Sequence, residues 1–127
     1  MKNSNPSVEM IKIPESLRES AYWSGDEPAW SAVDAVEVIR SLPVAESAVW
    51  GIEVWLPTTP GPTIPAPFIY TWSAEQRAPD EDWKSYARRV NEAATRYVTE
   101  FSWDPLDTAH SDLTPYFNLE FCEASDR

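Results

Sequence analysis

Residues Val49-Trp50-Gly51-Ile52-Glu53-Val54-Trp55-Leu56 form the most continuous apolar, β-prone run of the chain, and proline fences it on both sides. Pro43 ends a helical pattern before it. After it, Pro57, Pro60, Pro62, Pro65 and Pro67 with Gly61 deny the backbone a continuous ladder. A short apolar run bounded in this way reads as a strand. The two-residue period puts Trp50, Ile52, Val54 and Leu56 on one face, the expected core face, and Val49, Gly51, Glu53 and Trp55 on the other. A carboxylate is not buried unpaired without cost, so the Glu53 face is expected to be at least partly open, with Trp55 near solvent or under another element. Gly51 spares room there for a close neighbour.

The remaining elements are placed around this strand. Phe68-Ile69-Tyr70-Thr71-Trp72 reads as its antiparallel partner, with Pro57 to Pro67 a stiff, extended connection that serves as a plain loop or a binding rim. Pro79 and Asp80 open a helix with Glu81 and Asp82 in its first turn. From Trp83 through Tyr86, Ala87, Val90, Ala93, Ala94, Tyr97 and Val98 to Phe101, its apolar residues collapse onto one arc, as packing on a sheet requires. A helix to Phe101 would be ~33 Å long. An earlier helix is expected from an N-cap at Asp26 to Pro43, burying Ala29, Trp30, Val33, Val36 and Ile39 and turning Asp34, Glu37 and Arg40 away. A short helix runs from Pro14 to about Tyr22. From Thr114-Pro115 a last strand alternates Phe117, Leu119 and Phe121 with Tyr116, Asn118, Glu120 and Cys122, extending the sheet as an edge. The fold class that follows is α/β in the α+β sense: a two-layer domain with a small, mainly antiparallel sheet of three or more strands and two to three helices on one face. Residues 1–10 read as an arm, 11–101 as the main body and 102–127 as an acidic extension, all in one domain.

Composition narrows the function. The 127 residues suit one core, and 10 Lys plus Arg against 21 Asp plus Glu give a formal charge of −11. That balance argues against nucleic acid or an anionic membrane as partner, and leaves a basic partner or simple solubility as its meaning. The N-terminus has no apolar signal core and no run approaches the ~20 residues of a membrane span, so a cytoplasmic protein is expected. Cys122 is the single cysteine and His110 the single histidine. No phosphate-cradling glycine loop, nucleophile elbow or zinc-protease motif is present. Asp104-Pro105-Leu106-Asp107 and His110-Ser111-Asp112 match no calcium or zinc spacing, so neither a metal nor a cofactor is expected. Glu53 with Glu75 or a later aspartate as an acid–base pair is no more than carboxylates of an acidic chain meeting by chance, and an enzyme is not expected. Of the seven tryptophans, Trp30, Trp50 and Trp83 have core assignments, whereas Trp23, Trp55, Trp72 and Trp103 are open to exposure and to use as binding anchors.

Two stretches carry a resemblance. Trp83-x-x-Tyr86-x-x-Arg89-x-x-x-x-Ala94-x-x-Tyr97-Val98 resembles the closing helix of the bacterial immunity protein 40 family, small antidotes of polymorphic toxin systems. Val49-x-Gly51-x-Glu53-Val54-Trp55 is similar to that family's Val-x-Gly-Gly-Asp-Val-Tyr strand. The likeness covers about Ile13 to Phe101. It departs from the family where Ile52 replaces a glycine, Val90 a serine and Ala93 a lysine, and where the proline loop is longer. The resemblance implies a protein that binds a cognate toxin domain stoichiometrically and blocks or holds it inactive. Charge adds that the toxin domain is basic, a nuclease for example, steered by carboxylates and held by aromatic anchors. Glu53 and Trp55 are the first candidate partner-binding residues, with Asp104, Asp107 and Asp112 as an electrostatic rim. Arg89 matches the family's arginine but is expected to pair with a carboxylate and orient the helix. The alternative reading is an aromatic-rich carbohydrate- or small-ligand-binding module.

Overall fold

The proline-fenced strand is the centre of the sheet. The computed structural model describes residues 13–24, 26–56, 64–65, 70–108 and 112–124. The arm, most of the proline loop, Phe68, Ile69, His110 and Ser111 lie outside the described residues. In chain order the elements are α1 (Glu15–Ser20), β1 (Tyr22–Ser24), β2 (Glu27–Ala29), α2 (Ala32–Ser41), β3 (Ser47–Leu56), β4 (Ile64–Pro65), β5 (Thr71–Ser73), α3 (Trp83–Thr99) and β6 (Tyr116–Glu123). Antiparallel β6 runs along one side of β3, from Ser47↔Glu123 to Trp55↔Tyr116. On the other side β5 pairs through Ile52↔Trp72, and the two-residue β4 continues that edge at Trp55↔Pro65. The result is an α+β domain, an antiparallel sheet of three principal strands with three helices packed against it.

Pairing with β6 is not uniform. Val49 faces Phe121 and Gly51 faces Glu120, so Trp50 is the extra residue of a β-bulge. The bulge breaks the two-residue alternation and corrects one expectation: Trp50 is expelled from the core and is 46 % exposed, whereas Val49 is fully buried beside Ile52 and Val54. Its indole N–H is tied to the carbonyl of Phe121 at 3.2 Å, so the ring is exposed yet anchored.

Helix α3 crosses this core as its stripe predicts, burying Tyr86, Ala87, Val90, Ala94 and Val98. Its 17 residues give about 25 Å rather than ~33 Å, because it begins at Trp83 with Asp82 as N-cap residue instead of at Pro79-Asp80 and ends at Thr99 instead of Phe101. At its far end Tyr70, Phe101, Trp103 and Phe117 pack edge to face, with ring centroids 5.0–5.7 Å apart. Asn91 is buried with the apolar stripe although it is polar, because its side chain accepts the Val49 N–H at 2.8 Å.

The region before α2 departs most from expectation. Asp26 does not cap a helix. β1 and β2 pair antiparallel in register Tyr22↔Ala29, and Trp30 then exchanges two backbone hydrogen bonds with Phe117, at 2.9 and 2.7 Å. The helix starts only when Ser31 accepts the Asp34 N–H at 3.3 Å. The five-residue delay rotates the buried stripe to Ala35, Val36, Val38 and Ile39 and leaves Val33 exposed, while Ala29 and Trp30 are buried from an extended segment instead. Leu42, extended at ψ 133°, ends the helix before Pro43, as a residue preceding proline must.

Candidate functional site

The sheet has one face under the helices and another carrying the residues that alternate with the core. On that second face, cross-strand pairing sets Gly51 opposite Glu120, Glu53 opposite Asn118 and Trp55 opposite Tyr116. On the other side it sets Ser73 opposite Gly51 and Thr71 opposite Glu53. Gly51 is what lets Glu120 lie down: a methyl group added there would sit 3.0 Å from the Glu120 carboxylate oxygen Oε1. Partial burial raises the proton affinity of Glu120 above the ordinary carboxylate value, and the charges of Glu53 and Glu27 push the same way. Glu53 and Glu27, from two other strands, are thereby within electrostatic reach of Glu120. No sequence spacing joins Glu27, Glu53 and Glu120; the topology does.

The hairpin β1–β2 borders this face. Asn118 is buried and donates its side-chain N–H to the carbonyl of Pro28 at 2.8 Å, fixing the hairpin to β6. Tyr22 and Tyr116 meet with tilted rings at 4.4 Å between centroids, leaving Tyr22 exposed at the rim, while exposed Trp23 donates its indole N–H to the carbonyl of Arg18 at 3.2 Å. Glu53 is half-buried and accepts the Trp55 indole N–H at 3.0 Å. Of the two positions open to Trp55, near solvent or under cover, the structure gives the second: it is 3 % exposed. As an exposed anchor it is therefore corrected; its visible role is to orient the Glu53 carboxylate.

The proposed rim does not join this face. The Tyr70 hydroxyl donates to Asp107 Oδ2 at 2.6 Å and accepts the Asp104 N–H at 3.1 Å, and the Asp104 carboxylate accepts the Leu106 N–H at 2.8 Å. These two aspartates shape the turn after α3 around a core tyrosine. Asp112 is exposed further along the same connection. Arg89 behaves as expected of a clamp: its guanidinium donates to both Glu81 oxygens at 3.0 and 2.9 Å and to Glu75 at 3.0 Å. Its charge, first through hydrogen bonding, holds the Glu81 carboxyl below its ordinary value.

Trp50, placed in the core by its sequence position, instead stands at a cleft of about 680 Å³ that it lines with Ser73, Gln76, Arg77, Tyr86 and Cys122. Gly51 was the available hint, since glycine inside a strand pattern marks bulges as well as close approaches. Glu120 was visible as an outward residue of the last strand, but its neighbours Glu53 and Glu27 were not. Among the described residues no group of three or more His, Cys, Asp or Glu is arranged to hold a metal ion, and no helix is long and apolar enough to cross a membrane. Comparison with family models, with curated proteins and with solved structures yields no match for this chain.

Proposed function

We propose that this protein is a cytoplasmic immunity protein, which neutralises a cognate toxin domain by stoichiometric binding without chemistry of its own. The observation that carries the reading is the acidic sheet face away from the helices, where strand pairing lays Glu120 over Gly51 and sets Glu53 opposite Asn118, with Glu27 of the bordering hairpin in electrostatic reach of Glu120. Like charges gathered there destabilise the free protein, and a cationic surface laid across them removes that repulsion while gaining attraction. A formal charge of −11 extends the attraction beyond contact range and speeds encounter with a basic partner, such as a nuclease domain. Exposed Tyr22 at the rim of this face supplies aromatic surface of the kind that binding hot spots favour. The resemblance of the central strand and long helix to immunity protein 40 supports the same assignment, and Arg89, matched in that likeness, serves the fold by clamping Glu75 and Glu81.

The test is co-expression with the product of the neighbouring open reading frame, where this reading expects the toxin. Growth should be restored, and purified toxin and antidote should elute together at one-to-one stoichiometry. A toxin that stays lethal while this protein accumulates folded and soluble would overturn the proposal.

One observation favours a different reading, a carbohydrate- or small-ligand-binding module: the anchored, exposed indole of Trp50 at the mouth of the Arg77- and Gln76-lined cleft. Retardation on immobilised polysaccharide, lost in Trp50→Ala, would support it; passage without delay would remove it.

A further inference from the structure

Among the described residues no strand pairs the outer edge of β5. The Ala74 N–H donates to Trp50 O at 2.8 Å, and pairing continues through Ile52↔Trp72, so alternation directs the N–H and C=O of Trp72 toward β3. Those of Thr71 and Ser73 point the other way, both residues are exposed, and among the described residues no hydrogen bond is recorded for these outward groups. Between this edge and α3 runs a groove of about 350 Å³, lined by Trp72, Val90 and Ala93, with the Arg89–Glu75 pair at one end and Glu92 and Arg96 on its helical wall. Glu92 and Arg96 are exposed, and neither is recorded in an ion pair among the described residues.

We propose that the occupant of this edge is a second copy of the chain, joined β5 to β5 about a twofold axis at Trp72. Antiparallel pairing centred on Trp72 sets Thr71 of each copy against Ser73 of the other, so the outward groups form four backbone hydrogen bonds. The two Trp72 side chains become directly opposed, a pairing in which Cβ atoms lie ~5 Å apart and half-buried aromatic rings gain cover. The axis is perpendicular to the sheet, so both helical layers stay on one side, with the two α3 helices antiparallel. Three strand spacings of ~4.8 Å separate the two β3 strands, hence about 14 Å between the helices above them, a gap that facing Glu and Arg side chains span. Antiparallel helices put Glu92 of one copy against Arg96 of its partner and the reverse, so the wall is self-complementary as a twofold contact requires. The acidic faces remain free on the opposite side, so the assembly stands independently of the toxin reading.

Sedimentation velocity of the full chain across a concentration series at physiological salt tests this. A concentration-dependent monomer–dimer equilibrium is expected; a monomer at every concentration overturns the proposal. Ser73→Pro removes an outward N–H without touching the β3 ladder, so it should fold and lose the dimer. Should it fail to fold, the helix-surface variants decide. Glu92→Arg and Arg96→Glu should each suppress dimerisation, and the double exchange should restore it. A dimer that survives Ser73→Pro, or that the double exchange leaves suppressed, places the contact elsewhere and overturns the proposal.

Discussion

The backbone N–H of Val49 donates to the side-chain oxygen of Asn91 across 2.8 Å, from the bulged part of the central strand to the middle of the long helix. A bulge takes a backbone group out of the strand ladder, and an orphaned N–H in a core costs as much as a lost hydrogen bond. Asn91, 7 % exposed, supplies the acceptor, while its own Nδ2 has no recorded partner. One residue thereby fixes the helix to the sheet at the level where Trp50 is expelled.

Asn91→Ala is therefore expected to destabilise the protein by about 1–3 kcal/mol, the cost of an unsatisfied buried donor. Urea denaturation followed by circular dichroism measures it, with the midpoint lowered and the slope unchanged. A loss near zero would mean that water replaces Asn91 and that the bulge stands without it.

Glu120 makes a pH-dependent prediction. Its folded-state proton affinity is raised, so the protonated acid is favoured by folding. That contribution is complete below the unfolded-state value and lost as pH rises through the folded one. Glu120→Gln imitates the protonated form. It should raise stability by a few tenths of a kcal/mol at pH 7, as suits an exposed charge cluster, and confer no advantage below about pH 4. Paired denaturation curves at the two pH values check the sign.

The same linkage acts on binding. A cationic partner favours the ionised form of Glu120, so protons compete with the partner and affinity should increase as pH rises through the Glu120 titration. Glu53→Lys should slow association and flatten its dependence on salt, and it should also lower stability by about 1–3 kcal/mol, because the buried Trp55 indole N–H loses its acceptor. Stopped-flow or surface-plasmon measurements against the cognate toxin separate on-rate from off-rate. An effect confined to the off-rate would make Glu53 a local contact and not part of a steering field.

Physical reasons divide what was legible in the sequence from what was not. The helix stripe from Tyr86 to Val98 and the alternation of Phe117 with Leu119 are local periodicities, so the chain displays them directly. Of the expected partner strand Phe68–Trp72, by contrast, the described part pairs with β3 only from Thr71, to Ser73, and Tyr70 is buried in the core outside the strand. The hairpin at residues 22–29 was missed because Asp26-Glu27-Pro28 is as good a helix opening as a strand-turn segment, and tertiary pairing of Trp30 with Phe117 decides between them. Glu53 was found on an open face by the cost of burying charge. Its grouping with Glu27 and Glu120 depends on strand order, which no local pattern encodes. The surroundings of Asp104 and Asp107 are hidden for a similar reason: acidity is visible in the sequence, but their engagement with Tyr70, 34 or more residues away in the chain, is not.

The two tryptophans of the central strand exchange the roles their positions suggest, and paired substitutions separate them. Trp55 is 3 % exposed, so Trp55→Ala opens a cavity beneath the sheet and frees Glu53 from its indole donor; a loss of about 3–5 kcal/mol is expected. Trp50 is 46 % exposed and gives up little beyond its bond to Phe121 O, so Trp50→Ala should cost no more than about 1 kcal/mol. Chemical denaturation gives both values. Acrylamide quenching supplies an independent readout, because Trp50→Ala should remove accessible fluorescence that Trp55→Ala retains wherever the latter still folds. Equal losses of stability would mean that the bulge at Val49/Gly51 does not persist in solution and that Trp50 returns to the core its position in the strand first suggests.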